Sequence, residues 1–392
     1  MISVNEALKL LNSNINPFKI EEVKPLQNAV GTILFKDMYS PINMPPFRQS
    51  AMDGYALFLH DSHTYSLIGE IKAGDNHQLK LKTGEAVRIF TGAPVPETAN
   101  AVIMQEKVTV KDLQITLEKN VSENDNIRQL GEQVKKGAIA LKKGATLTPA
   151  AIGFLLSLGI TEVPVYKKPS IALLATGNEL VEAGKSLQYG EIYESNSGML
   201  LSALNTLGYK HSSIYKIEDD YAKTLSVLKK VISENDFIII TGGISVGDYD
   251  FVGKALQELT VEEIFYKVKQ KPGKPLFFGK KDDTIIFALP GNPAAALSCF
   301  YIYVYPCLEK LSGNIEFSLT NISAISNSSY FKKGDRAQFL KAIYKEGRVT
   351  ILEGQSSAMM QTFSVANALV FMPEALKKIL KEDPVQVICL PN

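Results

Sequence analysis

Three short stretches combine glycine, acid, proline or lysine at spacings suited to an anionic ligand. The first, Thr241-Gly242-Gly243-Ile244-Ser245-Val246-Gly247-Asp248-Tyr249-Asp250, follows the apolar run Ile238-Ile239-Ile240. Glycines let backbone N–H groups approach a phosphate, and the acids can hold a divalent cation. A Gly-rich turn in which Asp248 caps the next helix explains the same residues. The second, Pro290-Gly291-Asn292-Pro293, opens an apolar helix running toward Leu311. Asn292 fits an N-cap and Pro293 the first helical position, so the N–H groups and helix dipole there would attract an oxyanion. An ordinary capped helix start is the plainer account. Upstream, Lys267-Val268-Lys269-Gln270-Lys271-Pro272-Gly273-Lys274-Pro275 holds four lysines in eight positions, and its prolines stiffen the segment. Lys271 and Lys274 suit a small dianion or phosphate, while an aggregation-resistant edge strand explains the alternating lysines nearly as well. The third stretch is Thr176-Gly177-Asn178-Glu179-Leu180, where Glu179 is a candidate metal ligand or proton carrier. Asp219 and Asp220 sit where the next strand ends, and a solvated helix cap is their commoner role.

These loops need strands behind them. Ile171 to Ala175, Ser213 to Ile217, Asp236 to Thr241 and Thr284 to Leu289 are apolar runs that read as buried parallel strands. Helical segments alternate with them: Asn196 to Leu207, with Ser195 as N-cap and Gly208 as stop, and Tyr221 to Ser233. The span Pro169 to Gly313 therefore reads as an α/β sheet with helices on both faces, whose ligands bind at the strands' carboxyl ends. Before it, Ser3 and Glu6 form a capping-box pattern for a short helix. Short alternating runs such as 78–82 and 108–110 predict a β-rich module, and Thr148-Pro149 opens another helix that Gly159 stops. After Gly313, Ala337 to Tyr344, Val349 to Leu352, Ala368 to Met372 and Val385 to Leu390 predict a small all-β domain.

The chain has 392 residues, 45% hydrophobic, with 42 Lys plus Arg against 41 Asp plus Glu. That length allows two to four domains with real cores, and the balanced charge provides no global field for nucleic acid or an acidic membrane. Cys299, Cys307 and Cys389 are too scattered for a disulfide framework or metal knuckle, and the N-terminal residues carry no leader pattern. A soluble, cytoplasmic protein is expected. His60 and His63 form a bare HxxH that suits a surface loop better than zinc. No GxxxxGK[ST], HExxH or GxGxxG in context is present.

Read together, the motifs resemble the MoeA family of molybdopterin molybdotransferases, which includes the catalytic C-terminal domain of gephyrin. The matching pieces are Pro45-Pro46-Phe47 with Ser50-Ala51-Met52-Asp53-Gly54-Tyr55-Ala56, Arg88-Ile89-Phe90-Thr91-Gly92-Ala93, Asn126-Ile127-Arg128-Gln129-Leu130-Gly131-Glu132 and the three loops above. The lysine segment and Ala366-Asn367-Ala368-Leu369 complete the set, in family order over nearly the whole chain. The resemblance implies an α/β and β multidomain chain: a linking domain (1–45 plus 140–168), an inserted β-rich domain (46–139), a MogA-like α/β domain (169–313) and a C-terminal β-barrel (314–392).

It also implies a transferase that takes adenylylated molybdopterin and molybdate and releases AMP, with Mg²⁺ held by Glu179, Asp219 and Asp250. Asp53, Thr91 and Lys271 join those acids as implied catalytic residues. Implied binding residues are Arg128, Gly242, Gly243, Ser245 and Gly247 with Lys267 and Lys274, then Pro290, Gly291, Asn292 and Pro293, and finally Ser357. An elongated homodimer is implied, with Asp53 and Thr91 facing the acids 179, 219 and 250 of the other subunit. A MogA-type adenylyltransferase is the implied donor, and apo-molybdoenzymes or their chaperones are the implied acceptors. Three positions depart from the family pattern: Gln133 and Asn178 stand where acids are usual, and Glu194 replaces an Asp before Ser195-Asn196. An amide carries no proton and binds metal weakly, so no catalytic role passes to Gln133. A dimeric molybdopterin- or nucleotide-binding paralogue without full catalysis is the alternative reading.

Overall fold

A computed structural model of the chain describes residues 1–76, 79–243 and 251–391. They form two compact units, Glu21–Val165 and Met1–Ile20 with Tyr166–Asn392. Among the described residues no helix is long and apolar enough to cross a membrane. Helix α1 (Val4–Asn14) begins as its capping pattern requires, the Ser3 hydroxyl accepting from the Glu6 N–H at 3.2 Å. Its buried stripe of Val4, Ala7 and Leu11 joins the core of the α/β part. The proposed linking domain thus contributes its first helix to that core.

In the unit Glu21–Val165, strands β1 (Gly54–Leu57), β2 (Thr64–Ile71), β3 (Glu85–Ile89), β4 (Ala101–Met104), β5 (Val108–Lys111) and β6 (Gln114–Leu117) form one sheet. Its order is β4-β1-β3-β2-β6-β5. Alternate residues enter opposite cores: Ala56, Val87 and Val102 on one face, Tyr55, Leu57, Ala86 and Ile103 on the other. The run 78–82, expected as strand, is not one over its described part, 79–82. There the Leu81 N–H goes to the Thr98 hydroxyl at 2.7 Å. Helix α2 (Pro149–Ser157) has Thr148 as N-cap, and Gly159 follows it at φ +78°. Ile152 and Leu155 of α2 pack with Leu26, Leu34, Val163 and Val165.

The α/β part contains β7 (Ile171–Thr176), α3 (Asn196–Thr206), β8 (Ser212–Ile217), α4 (Tyr221–Glu234), β9 (Phe237–Thr241), α5 (Phe251–Glu258), β10 (Glu262–Tyr266), β11 (Phe277–Lys281) and β12 (Thr284–Leu289). The sheet order is β8-β7-β9-β12-β11-β10. The four runs expected as parallel strands are parallel, and the antiparallel hairpin β10-β11 extends one edge. Odd-numbered residues such as Leu173, Ile239 and Phe287 pack with α3, whereas Leu174, Ile240 and Ile286 pack with α4 and α5. Burial on both faces is why these strands are uninterrupted apolar runs.

After β12 come α6 (Pro293–Cys299), a π-helical turn Phe300–Val304 and α7 (Tyr305–Leu311). The expected single helix is interrupted because Pro306 lacks an N–H and its ring crowds the carbonyl of Ile302. Cys299 and Cys307 are buried here, and burial pushes the Cys299 thiol up to about 12. The chain ends in β13 (Asn321–Ser326), β14 (Ala337–Lys345), β15 (Arg348–Ile351), β16 (Ala368–Met372) and β17 (Pro384–Cys389). Pairings β14-β15, β15-β13, β13-β17, β17-β16 and β16-β14 close a five-stranded barrel.

Candidate functional site

The chain runs from β7 to β8 on one side and then crosses to β9 on the other, so the strand order reverses between β7 and β9. Ligands of open α/β sheets bind at that switch point. The loops there approach closely: a Cβ on Gly242 would lie 2.6 Å from the Thr176 carbonyl, and one on Gly243 2.5 Å from the Thr176 hydroxyl. Only glycine fits, and both residues have positive φ. Gly291, after β12, faces Gly242 at 3.7 Å by the same measure.

A cleft of about 810 Å³ opens over these loops. Thr176, Glu179, Gly242 and Gly243 line it, with Lys267, Lys271, Gly273 and Lys274 on one side and Pro290 to Pro293 on another. Arg336 and Ser357 come from the barrel part. Four cations, Lys267, Lys271, Lys274 and Arg336, thus face two carboxylates, Glu179 and Glu194. Glu194 is already engaged, accepting from the Ser197 N–H at 2.9 Å and from the Ser197 hydroxyl. This replaces the expected Ser195 cap: Ser195 occupies the N-cap position without a side-chain capping bond, and the longer Glu194 reaches the first turn.

The floor holds two polar atoms that the described residues leave unpartnered, Thr176 Oγ1 and Asn196 Oδ1. Thr176 is 5% exposed, and the Asn196 amide nitrogen donates to the Gly291 carbonyl at 2.7 Å. Buried polar groups need partners, so both atoms are suited to a ligand. Thr176 and Asn196 belong to stretches already singled out, but neither was assigned a binding role there, and Arg336 belongs to no local motif. Arg336 precedes β14 and donates to the Gln270 carbonyl at 3.2 Å, so its place depends on barrel closure rather than on nearby sequence.

The lysine segment divides. Gln270–Lys271 pairs in parallel with β14, while Lys269 binds Asp335 and Glu374 at 3.0 and 3.1 Å. Beneath the loop, the buried Gln270 side chain donates to the Gly273 carbonyl at 3.0 Å and accepts from the Tyr303 hydroxyl. A Cβ on Gly273 would lie 2.4 Å from Cys299 Sγ. At the helix start the expected free N–H groups are largely engaged. Ala294 donates to the Ser357 carbonyl, and Ala295 and Ala296 donate to that of Asn292. Asn292 makes no capping bond and instead donates to Ser357 Oγ at 3.1 Å.

Of the acids, Glu179 lines the cleft and Asp219 ties neighbouring loops. Asp219 Oδ2 accepts from the Asn178 N–H at 3.2 Å, and its own N–H donates to Asn178 Oδ1 at 2.9 Å. Asp220 caps α4 through the Lys223 N–H. Ser245, Gly247, Asp248 and Asp250 lie outside the described residues. Among the described residues, no three His, Cys, Asp or Glu side chains are grouped to hold a metal. In the other unit, Asp53 Oδ1 accepts from the Thr91 N–H and hydroxyl, each at 2.7 Å. Those bonds, the backbone one foremost, hold its carboxyl below the usual Asp value. Arg88 stacks over Tyr55 and Phe90 nearby, and Arg128 is exposed on a short strand paired with Gln49–Ser50. His60 is half-buried in a loop, with Nε2 3.2 Å from the Thr64 carbonyl.

A cation-rich cleft at the switch point of a doubly wound sheet is suited in charge and geometry to a phosphorylated or oxyanionic small molecule. The MoeA N-terminal region (domains I and II) matches residues 2–159, a probable molybdopterin binding domain 172–310, and the MoeA C-terminal region (domain IV) 323–390. The chain is 37% identical over 385 residues to a molybdopterin molybdenumtransferase of Haemophilus influenzae, covering 95% of each. It is 31% identical to one of Staphylococcus epidermidis, over 99% of this chain and 95% of that one. A crystal structure of a molybdopterin biosynthesis moeA protein from Pyrococcus horikoshii superposes with a TM-score of 0.85 at 29% identity, over 99% of this chain and 100% of that one. The chain belongs to the MoeA family.

Proposed function

We propose that the chain is a molybdopterin molybdenumtransferase: it takes adenylylated molybdopterin and molybdate, releases AMP and leaves molybdenum on the dithiolene sulfurs. The observation that carries this reading is the excess of cations in the switch-point cleft of a chain related to such transferases over its whole length. Molybdate is a tetrahedral dianion, so Lys271, Lys274 and Arg336 offset its charge and Ser357 offers a hydroxyl. Gly242 and Gly243 let the backbone approach the phosphates, and Lys267 adds charge beside them. Thr176 and Asn196 supply polar contacts on the floor. Loss of one molybdate oxygen as water takes up two protons, which the two dithiolene thiols release as their sulfurs bind molybdenum, and Glu179 is the cleft carboxylate able to relay them. Asp53, held ionised by Thr91, is a proton acceptor at neutral pH rather than a donor.

The donor set fits Mg²⁺ bound mainly through substrate oxygens. Glu179 and Asp219 are hard ligands joined through the Asn178 loop, and Mg²⁺ commonly takes one or two carboxylates plus phosphate oxygens and water. When bound, the ion would neutralise charge on the phosphoanhydride. The proposal includes a homodimer in which Asp53, Thr91 and Arg128 complete the other subunit's site, and delivery of the nucleotide by a MogA-type adenylyltransferase; the family resemblance supports both. Apo-molybdoenzymes or their chaperones then take the product. Purified protein given adenylylated molybdopterin and Mg²⁺ is expected to release AMP only when molybdate is added, and to stop on chelation. AMP release without molybdate, or none with it from folded protein, would overturn the reading.

A further inference from the structure

Lys341 lies on β14 and is 4% exposed. Its ammonium donates to three carbonyls of one loop: Gly354 at 2.8 Å, Ser356 at 3.1 Å and Met359 at 3.0 Å. Those three acceptors match the three donors of an ammonium. Burying a charge is costly unless it is well bonded, and here the compensation comes from loop carbonyls rather than a carboxylate. The Gln355 side chain adds a second tie, accepting from the Lys341 N–H and donating to the Lys341 carbonyl, both at 2.9 Å. The loop so held carries Ser357, whose carbonyl accepts from Ala294 and whose hydroxyl accepts from Asn292, each at 3.1 Å.

We propose that Lys341 is a positioning residue that clamps the loop 354–359 and thereby sets Ser357 against Asn292 in the oxyanion end of the cleft. The inference rests on the transferase reading above for its kinetic consequence, though not for the clamp itself. Removing the charge and its three bonds frees the loop, so the effect should fall on molybdate and pass through Ser357. A general loss of structure would instead lower turnover without separating the two substrates.

The test measures AMP release at varied molybdate and varied adenylylated molybdopterin for the unsubstituted chain, Lys341→Met, Ser357→Ala and the double variant. Lys341→Met is expected to raise the KM for molybdate about tenfold. The KM for the nucleotide should stay within about twofold, and Lys341→Met should add less than about twofold to Ser357→Ala. An unchanged molybdate KM in folded Lys341→Met, or an effect that multiplies fully with Ser357→Ala, would overturn the proposal. If Lys341→Met does not fold, Lys341→Gln replaces it with the same outcomes. If the unsubstituted chain shows no molybdate-dependent release, the transferase reading fails instead, and hydrogen exchange decides the clamp. Exchange at 354–359 should then quicken about tenfold in the variant while the other barrel strands keep their protection; unchanged exchange there would overturn it.

Discussion

At the residue scale, Asp53 is the clearest case of a side chain whose chemistry is set by its neighbours. Its folded pKa is lowered by the Thr91 N–H and hydroxyl, so these bonds favour the folded state at neutral pH. Their contribution is lost as pH falls through the lowered value. Thr91→Val keeps the N–H and removes the hydroxyl, so the Asp53 carboxyl should titrate at higher pH, nearer the usual Asp value, by carbon NMR. An unmoved titration would contradict the assignment. Other residues were legible only in part. Ser195-Asn196 marked the start of α3, but the working cap comes from Glu194, because a longer acid one residue earlier reaches the same N–H. Thr176 read only as the first residue of the loop that follows Ile171 to Ala175. Its orphaned hydroxyl becomes apparent only when Gly243 is packed against it.

At the element scale, the loops of the site are held by backbone constraints that predict unequal tolerance. Gly273 has φ +82° and its added Cβ would meet Cys299 Sγ at 2.4 Å, whereas a Cβ on Gly291 meets nothing nearer than 3.7 Å. Gly273→Ala should therefore cost about 1–3 kcal/mol in denaturant unfolding, with Gly291→Ala within about 1 kcal/mol of the unsubstituted chain. Equal losses would contradict the packing under the lysine loop. Asp236 anchors the entry to β9, accepting from the Ser170 N–H and hydroxyl at 2.8 Å each and from Lys167 at 3.0 Å. Burial pushes its carboxyl up, but the Ser170 and Lys167 bonds outweigh this and hold the pKa below the usual value. Asp236→Asn should destabilise by about 1–3 kcal/mol at pH 7. That deficit should shrink as pH falls from the unfolded Asp value through the lowered folded one, and a pH-independent deficit would contradict the ion pair. The β12 and β16 ranges were readable to the residue because both are apolar runs bounded by turns. The hairpin β10-β11 escaped because charge interrupts its apolar runs: Glu262-Glu263 open β10, which is partly exposed at the sheet edge, and Lys280-Lys281 end β11.

At the scale of the whole molecule, the ordered motifs announced the family and implied the barrel, while periodicity showed the α/β part and the all-β character of the C-terminal part. Arg336 and Lys341 were not legible in this way. Arg336 reaches the cleft, and Lys341 reaches the loop that carries Ser357, through closure of the barrel, a set of pairings between segments tens of residues apart that local pattern does not encode. The proposed homodimer predicts a sedimenting mass twice the 43.0 kDa of the chain, and a monomer at micromolar concentration would contradict it. Under the proposed function, the switch-point cleft binds molybdate with its lysines and couples it to AMP release. The most direct measurement is AMP release from adenylylated molybdopterin titrated with molybdate, in the unsubstituted chain and in Lys271→Met side by side. A saturable rise is predicted, with the half-saturating molybdate about tenfold higher in the variant. Release indifferent to molybdate, or two superimposable curves, would contradict it.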